Sequence, residues 1–274
     1  MPELPEVETI ARTLRPVLIG KTILSADLRW PNTLAAPSPV AFKKRIKGQR
    51  IESISRRAKF LDLQLSDSHL LIHLRMSGDL LVILGGYRPA KHDRLIVKLS
   101  EDSSLVFSDP RKFGRVWLAD DPAEIFQELG PEPLSEAFTP DWLYSALHLR
   151  HRQLKPLLLD QAFLAGLGNI YTDEALHLAK LHPLSLSDSV TKEQAQGLWQ
   201  AIREVLEEGI RRSGSSIDWV YRGGDFQNHF RVYGRTGEPC PVCKTTIERI
   251  TVGQRGTHFC PRCQVRAKPK NPVK

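Results

Sequence analysis

The sequence lacks the features that would place it in a membrane, outside the cell or among disulfide-stapled proteins. No segment approaches the ~20 consecutive apolar residues of a membrane-spanning helix. The first residues include Glu3, Glu6 and Glu8, where a secretory signal would carry positive charge. All four cysteines fall between residues 240 and 263, so no disulfide framework is indicated. We therefore expect a cytoplasmic protein with no membrane partner.

Acidic residues are in deficit, and this deficit favours an anionic partner. The 274 residues contain 39 Lys plus Arg against 31 Asp plus Glu, which gives a formal net charge of +8 and a pI near 9.4. Nucleic acid is the first candidate, although many basic proteins bind nothing anionic. Hydrophobic residues make up 41%, enough for one large or two ordinary domain cores.

After an opening helix, the first half of the chain has the pattern of β-structure. Apolar residues from Val7 to Leu18 follow helical spacing, and Gly20 is a suitable stop. Short segments with partial alternation follow, separated by turn residues such as Gly85-Gly86. Short strands with tight links favour an antiparallel sandwich or barrel over βαβ units. The predicted strands are 21–29, 50–55, 59–65, 69–74, 80–84, 94–99 and 104–107.

Helical patterns take over beyond the proline-rich stretch at 130–140. The fold class is therefore α+β and multidomain, with an antiparallel β-sandwich and flanking helices at 1–133 and a helical domain at 134–236. A zinc module at 237–264 and a flexible basic tail at 265–274 complete the chain. The predicted helices are 141–149, 154–164, 170–178 and 192–211, and 232–234 is predicted to be a short strand.

Two Cys-X-X-Cys pairs give the sharpest local signal. The sixteen residues 244–259 separate the pairs, which is the spacing of a tetrahedral zinc ribbon. Four thiolates leave no open position for substrate, so the predicted Zn²⁺ is structural. The hairpin between the pairs would carry Arg255 at the tip of the turn 253–256, where an arginine is most often only solvated. The predicted ligands are Cys240, Cys243, Cys260 and Cys263.

The second residue is proline, which matters if the initiator Met1 is removed. Pro2 would then carry a free secondary amine, which condenses with an aldehyde to a cationic iminium that draws electrons from a sugar. Such an amine titrates about 2–3 units below a lysine, so more of it is unprotonated at neutral pH. Glu3 would lie beside it as a proton donor or shuttle. The alternative is a merely structural helix start, since proline and acidic residues suit a first turn.

Several loops combine basic residues with an apolar side chain. Segments 56–60, 73–78 and 109–114 place Arg, Met or Phe at turns, which suits a wedge pushed into a base stack. Each is equally compatible with a turn whose apolar side chain faces the core. Asn169 is predicted to cap the helix that starts at Ile170, after small residues that would let a phosphate approach. An ordinary helix–turn–helix is the alternative there.

Eight separated motifs occur in order along the chain. They are Pro2 to Glu8, Arg57-Ala58-Lys59, His73 to Gly78, Lys91-His92-Asp93, Asp109 to Gly114, Gly168 to Tyr171, Val232 to Arg235, and the cysteine ribbon with Gln254-Arg255. Together they resemble the formamidopyrimidine-DNA glycosylase family. The resemblance implies a bifunctional enzyme that excises oxidised purines (formamidopyrimidines and 8-oxoguanine) from damaged double-stranded DNA and nicks the strand by β,δ-elimination. It also implies a helix–two-turn–helix domain, one structural Zn²⁺, and a monomer acting on the nucleoid in the bacterial cytoplasm.

Carried onto this sequence, the resemblance implies four catalytic residues. Pro2 would attack the sugar C1′ and form the Schiff base, and Glu3 would act as general acid/base in opening the sugar ring. Lys59 would contact a phosphate and serve in β-elimination, while Asn169 and Arg255 would clamp phosphates, Arg255 with a part in δ-elimination. Three residues would fill the hole left by the extruded base: Met76, Arg111 and Phe113. The other implied DNA-binding residues are His73, Arg75, His92, His151, Arg152, Tyr171 and Tyr233.

Two other interpretations stay open. Endonuclease VIII-like enzymes, which prefer oxidised pyrimidines, usually continue Pro-Glu with Gly-Pro instead of Leu4-Pro5, and they usually lack the hole-filling set. A zinc-dependent protein that binds damaged DNA without catalysis would be favoured by retention of Met1. One departure bears on specificity: segment 215–230, which covers the flipped base in the family, is several residues shorter than usual. We therefore expect a weaker preference for 8-oxoguanine over oxidised pyrimidines than the family usually has.

Overall fold

The computed structural model describes residues 2–216 and 223–266 of the chain. Two compact units form: the first extends to Gln127 and also includes Ser213–Gly224, and the second comprises Glu128–Arg212 and resumes at Asp225. The finer domain limits at 133, 236 and 264 stay a prediction. Across the described ranges, no helix has both the length and the apolar character that a bilayer crossing demands.

The first unit opens with helix α1 (Leu4–Leu18), whose N-cap is Glu3. The Glu3 backbone N–H donates to Glu6 Oε2 at 2.8 Å, which satisfies a donor that a helix start leaves open. Val7 and Leu14 are buried on the same face of α1, as the helical spacing predicts. Burial of that face fixes the direction in which the first residues of the chain point.

Two sheets share one core in the first unit. In chain order, the strands are β1 (Ile23–Leu28), β2 (Leu34–Ala36), β3 (Ile51–Arg57), β4 (Phe60–Leu65), β5 (His69–His73), β6 (Asp79–Leu84), β7 (Asp93–Leu99), β8 (Ser103–Ser108) and β9 (Arg115–Ala119). One sheet has the order β1-β7-β8-β6 and the other β2-β9-β5-β4-β3. Side chains from both, such as Leu63 and Val97, join one buried apolar cluster with α1. The predicted antiparallel sandwich is confirmed, except that β2 and β9 run parallel.

Four short elements have no clear signal in the sequence. They are β2, α2 (Pro39–Ile46), β9 and α3 (Ala123–Phe126). β2 is held by pairing of Leu34 with Val116, so its formation depends on a distant segment rather than on a local pattern. α2 begins after Ser38, whose Oγ accepts the N–H of Ala41 at 3.4 Å.

The second unit is helical and ends in a hairpin. Its elements are α4 (Pro140–His148), α5 (Leu154–Leu158), α6 (Asn169–Leu178), α7 (Lys192–Arg211), β10 (Glu248–Val252) and β11 (Arg255–Phe259). The predictions for α4, α6 and α7 are confirmed to within one residue. The predicted helix 154–164 is too long, because Asp160 accepts the N–H of Ala162 at 3.1 Å and so forms a turn where the helix would continue.

The segment 232–234 is a turn and not the predicted strand. Its backbone donors are taken by the carboxylate of Glu174, which accepts the N–H groups of Arg231 at 2.8 Å, Val232 at 3.0 Å and Tyr233 at 2.8 Å. The N–H groups of Val232 and Tyr233 are therefore not available to a neighbouring strand. Burial raises the pKa of Glu174, and the three N–H donors oppose that effect.

Candidate active site and nucleic-acid interface

The residues at the N-terminal end of α1 are buried in the first unit. Pro2 is buried, and Glu3 and Glu6 are each only 2% exposed. Glu6 reaches in two directions, since its Oε2 binds Glu3 N and its Oε1 accepts the N–H of Ser215 at 2.8 Å and its hydroxyl at 3.2 Å. The start of the chain and the start of segment 215–230 are thus joined through one carboxylate. The sequence signal for this role is the capping spacing of Glu3 and Glu6.

The two stems of segment 215–230 are held close together. Gly214 has a φ of +76° and packs against the Glu6 side chain, where a Cβ would fall 2.8 Å from its Cγ. Gly224 approaches the Gly214 carbonyl so closely that it has no room for a side chain. The hydroxyl of Ser216 accepts the N–H of Gly224 at 2.8 Å. The middle of the segment, 217–222, lies outside the described residues. The prediction that segment 215–230 weakens the preference for 8-oxoguanine therefore falls partly on residues that the structure does not describe.

Lys59 lies in a two-residue turn between β3 and β4, where Arg57 pairs with Phe60. The preceding residue, Ala58, has a φ of 52°, a left-handed conformation that usually selects glycine. Lys59 is only 5% exposed, so the turn brings its charge into a nearly buried setting. The pairing of Phe60 with His73 brings this turn next to the end of β5.

His73 is buried and electrically neutral in this setting. Burial first, then repulsion from Arg75 and Lys59, lower the pKa of His73 from 6.5 to about 3. Its Nδ1 accepts the N–H of Arg75 at 3.0 Å, so the proton of the neutral ring lies on Nε2. His73 is therefore an uncharged N–H donor. The predicted phosphate contact would be a neutral hydrogen bond and not an ion pair.

The predicted hole-filling residues lie on exposed loop tips of the first unit. Met76 is 38% exposed and Phe113 is 50% exposed, which is unusual for large apolar side chains. The guanidinium of Arg111 lies 5.1 Å from the centre of the Phe113 ring. Lys112, between them in sequence, lies 4.0 Å from the Trp30 ring. Exposed apolar side chains with cations beside them suit insertion into a base stack.

In the second unit, the side chain of Asn169 is hydrogen-bonded to the carbonyl of Gly256, the residue that follows Arg255. The cap of α6 is Gly168 and not Asn169, which is instead the first helical residue. Its side chain is used elsewhere, since Nδ2 donates to the carbonyl of Gly256 at 3.0 Å. Arg255 is exposed and pairs with Val252, so it begins β11 instead of occupying the tip of the turn.

The hairpin turn has only two residues, Gly253 and Gln254, with φ values of 54° and 61°. Two left-handed residues in succession form the tight turn that matches the twist of a hairpin. The prediction of a four-residue turn is wrong because Gln254 adopts a conformation that the sequence pattern alone assigns to glycine. As a consequence, the Arg255 backbone is fixed by strand pairing with Val252.

A buried charge network that the sequence analysis missed holds this hairpin. Lys155 and Asp173 have no exposed side-chain surface, and Lys155 Nζ lies 2.6 Å from Asp173 Oδ1. Lys155 also donates to the Gly256 carbonyl at 3.0 Å, and Asp173 accepts the N–H of His258 at 2.9 Å. The available signal was an acidic pair, Asp173-Glu174, inside an apolar helical stretch, because buried charges require partners.

Four further predicted DNA-binding residues have partners within the second unit. Tyr171 is fully buried and stacks on Phe226 at 5.1 Å, so a direct contact with DNA receives no support from its position. Tyr233 lies edge-on to His258 at 4.9 Å. Of the other two, His151 is hydrogen-bonded to Asp188 and Arg152 forms an ion pair with Asp160, each at 2.7 Å. His92, in the first unit, is exposed, and its contact with DNA stays a prediction.

The four cysteines gather at the base of the hairpin. Their sulfur atoms all lie within 4.8 Å of one another, with Cys243 3.4 Å from Cys260 and Cys240 3.9 Å from Cys263. A tetrahedral zinc with bonds of about 2.3 Å would separate its sulfur ligands by about 3.8 Å. The set therefore fits one zinc ion. Buried Val232 and Ile247 pack against it.

Three family models match the chain in succession. The formamidopyrimidine-DNA glycosylase N-terminal domain matches residues 1–116, the formamidopyrimidine-DNA glycosylase H2TH domain matches residues 129–220, and the zinc finger found in FPG and IleRS matches residues 237–265. Together they account for the β-rich part, the helical part and the four-cysteine part in the predicted order.

Curated relatives and solved structures match this chain over nearly its full length. A formamidopyrimidine-DNA glycosylase of Chloroflexus aurantiacus is 51% identical over 273 residues, covering 97% of this chain and 98% of the relative. That of Pelotomaculum thermopropionicum is 43% identical, covering 96% and 99%. A complex of Lactococcus lactis Fpg with DNA containing an abasic site has a TM-score of 0.91 and 38% identity, covering 97% and 100%. A structure of MutM with carbocyclic 8-oxo-G containing DNA matches equally well.

Proposed function

Because the chain belongs to the formamidopyrimidine-DNA glycosylase family, we propose that it excises oxidised purines from duplex DNA and then nicks the strand. The observation that carries this proposal is the fixed end of the chain, where Pro2 and Glu3 lie buried at the start of α1. A nucleophilic amine and its acid are effective only when held in one geometry. A mutant form of the L. lactis protein has been crystallised with DNA containing Fapy-dG, which supports the substrate class.

In the proposed reaction, the amine of Pro2 supplies the electrons. After removal of Met1, its nitrogen bonds to C1′ of the damaged nucleotide, and the N-glycosidic electron pair leaves with the base, which takes up a proton. The bonded nitrogen then loses its proton, and its freed electron pair forms the C1′=N bond of an iminium as the C1′–O4′ bond breaks and Glu3 relays a proton to O4′. The iminium acidifies C2′–H. Loss of that proton expels the 3′ phosphate, and a second elimination expels the 5′ phosphate.

The other proposed residues act on phosphate groups. Lys59 and Arg255 supply positive charge to the DNA backbone, and Asn169 supplies an amide N–H. His73 adds a neutral donor, because its pKa of about 3 keeps the ring uncharged at neutral pH. The cysteine set would hold one Zn²⁺, whose contribution is to keep the hairpin that carries Arg255 folded.

Borohydride trapping tests the nucleophile. Sodium borohydride added during reaction with a lesion-containing duplex should reduce the iminium and link the protein covalently to DNA through its N-terminal peptide. Pro2→Gly should lower the yield of the adduct, whereas Pro31→Gly, a change at an exposed proline, should not. An adduct that maps to an internal lysine, such as Lys59, would contradict the assignment.

The mass of the purified protein separates this proposal from damage binding without catalysis. Removal of Met1 should leave Pro2 as the first residue of the active protein. Protein that retains Met1 and binds lesion DNA without trapping would instead support the zinc-dependent sensor.

A further inference from the structure

Two loops of the first unit converge on one buried carboxylate. We call segments 74–78 and 109–114 the wedge loops, because their tips carry Met76 and Phe113. Asp109 has no exposed surface, and its Oδ1 accepts the hydroxyl of Ser77 from the other wedge loop. Within its own loop, Asp109 accepts the N–H of Arg111 at 3.2 Å and of Gly114 at 2.7 Å. One carboxylate thus connects the Ser77 side chain of one wedge loop with two backbone N–H groups of the other.

The backbone of Asp109 ties in a third segment. Its N–H donates to the carbonyl of His92 at 2.9 Å. Its carbonyl accepts Nε of Arg94 at 2.7 Å, and Arg94 also donates to the Lys91 carbonyl at 3.2 Å. The loop that carries His92 is therefore hydrogen-bonded to the same residue as the wedge loops.

Packing beneath the wedge loops agrees with the hydrogen bonds. The ring of Phe107 is buried, and Gly78 and Gly114 both press against it. A Cβ on Gly78 would fall 2.7 Å from the ring, and one on Gly114 would overlap it. Each wedge loop therefore reaches the ring through a residue without a side chain, which leaves little freedom for either loop to shift alone.

An isolated carboxylate is costly to bury, and the hydrogen bonds that the Asp109 carboxylate accepts offset that cost. All three donors belong to the wedge loops, so the charge favours one arrangement of those loops over others. A tip that must separate stacked bases works against an unstacking cost of a few kcal/mol. A tip that is already fixed loses less conformational freedom when it inserts.

We propose that Asp109 is the positioning residue that joins the two wedge loops, so that Met76 and Arg111–Phe113 enter the duplex as one rigid unit. The inference rests on the proposed function, since it takes the tips to act in extruding a damaged base. Asp109 itself touches neither the sugar nor the base. Its effect is on the extrusion step and not on bond breaking.

The substitution Asp109→Asn keeps the shape but replaces the charged acceptor. A hydrogen bond to a charged group is worth more than a neutral one, so single-turnover cleavage of 8-oxoguanine in a paired duplex should slow by about tenfold or more. Cleavage of a pre-formed abasic site, where extrusion costs less, should slow by no more than about twofold. Fluorescence of 2-aminopurine beside the lesion should rise more slowly in the variant.

Asp62→Asn is the matched control, because Asp62 is a nearly buried carboxylate of the same unit whose partner is His69 at 2.8 Å. It should leave the ratio of the 8-oxoguanine cleavage rate to the abasic-site cleavage rate at the wild-type value. Ser77→Ala removes a single contact of Asp109 and serves if Asp109→Asn does not fold. It should change the ratio in the same direction by a smaller factor.

The outcomes separate this inference from the proposed function. Wild-type protein that cleaves neither substrate overturns the proposed function and the inference with it. Wild-type protein that cleaves both, combined with Asp109→Asn and Ser77→Ala proteins that keep the wild-type ratio, overturns the inference alone. A lower ratio in these variants and an unchanged ratio in Asp62→Asn supports it.

Discussion

Burial turns His73 into a neutral hydrogen-bond donor, and the pH dependence of the free energy of unfolding should show this. The pKa of His73 is about 3 in the folded protein against 6.5 for a free histidine. Above pH 6.5 both forms of the protein carry the ring uncharged, so the ring has no effect on stability. As the pH falls from 6.5 towards 3, the unfolded chain binds a proton that the folded protein does not. The free energy of unfolding should then fall by up to about 1.4 kcal/mol per pH unit.

The variant His73→Gln keeps an N–H donor but does not titrate. The stability difference between wild type and this variant should therefore shrink as the pH is lowered from neutral towards about 5, in urea unfolding followed at several pH values. His177, whose pKa is lowered to about 4 by burial, titrates equally in both proteins and cancels. His92→Gln, at an exposed site, is the control. A difference that does not change with pH would show that folding does not lower the pKa of His73.

At the scale of the element, the hairpin that carries Lys59 depends on an alanine in a glycine-type conformation. Ala58 is buried and has a φ of 52°. Ala58→Gly should change the free energy of unfolding by less than about 1 kcal/mol, because relief of strain opposes the extra freedom of the unfolded chain. Ala58→Val should lower it by about 1–3 kcal/mol, since a β-branched side chain disfavours this conformation.

Urea unfolding at neutral pH measures both changes. Ala35→Val, at an exposed position of β2, should stay within about 0.5 kcal/mol of wild type. If Ala58→Val were equally harmless, the turn would tolerate a different conformation, and Lys59 would not depend on it.

The zinc hairpin is the second element that positions charged groups. Its strand β11 begins at Arg255, and the next carbonyl, of Gly256, accepts Lys155 Nζ and Asn169 Nδ2. We expect one zinc per chain, and Cys243→Ser should lose both the metal and DNA affinity, because zinc stabilises such small modules by roughly 10 kcal/mol or more. Arg255→Ala should keep the metal but bind DNA less tightly than wild type. Active protein without zinc in metal analysis would contradict this prediction.

At the scale of the whole molecule, the sequence predicts what is encoded locally. Helix α1 and the cysteine ribbon follow from spacing alone, and both are confirmed as structural elements with the cysteines clustered. β2 is not encoded locally, since it depends on pairing with β9. The ion pair of Lys155 with Asp173 joins residues eighteen positions apart that no spacing rule connects. The carboxylate of Asp109 likewise acts on Ser77, which lies 32 residues earlier.

Specificity is the property in which this chain should depart from its relatives. Segment 215–230 is anchored at one stem by Glu6 and Ser215 and closed at the other by Gly224 against Gly214. With both stems fixed, the span between the described residues 216 and 223 is six residues long. A long covering loop can hydrogen-bond the edge of one base and discriminate strongly, whereas a short span leaves more of the selection to extrusion cost.

We therefore expect activity on ring-opened purines, with a weaker preference for 8-oxoguanine over oxidised pyrimidines than is usual in the family. Competition between matched duplexes measures that preference. Replacement of 218–221 by glycine at constant length should change it little, because a weak preference leaves little base discrimination to lose. The described stems argue against shortening the segment instead, since Phe226 is buried and stacks on Tyr171. A strong 8-oxoguanine preference that disappears in the glycine variant would show that the short span reads the base after all.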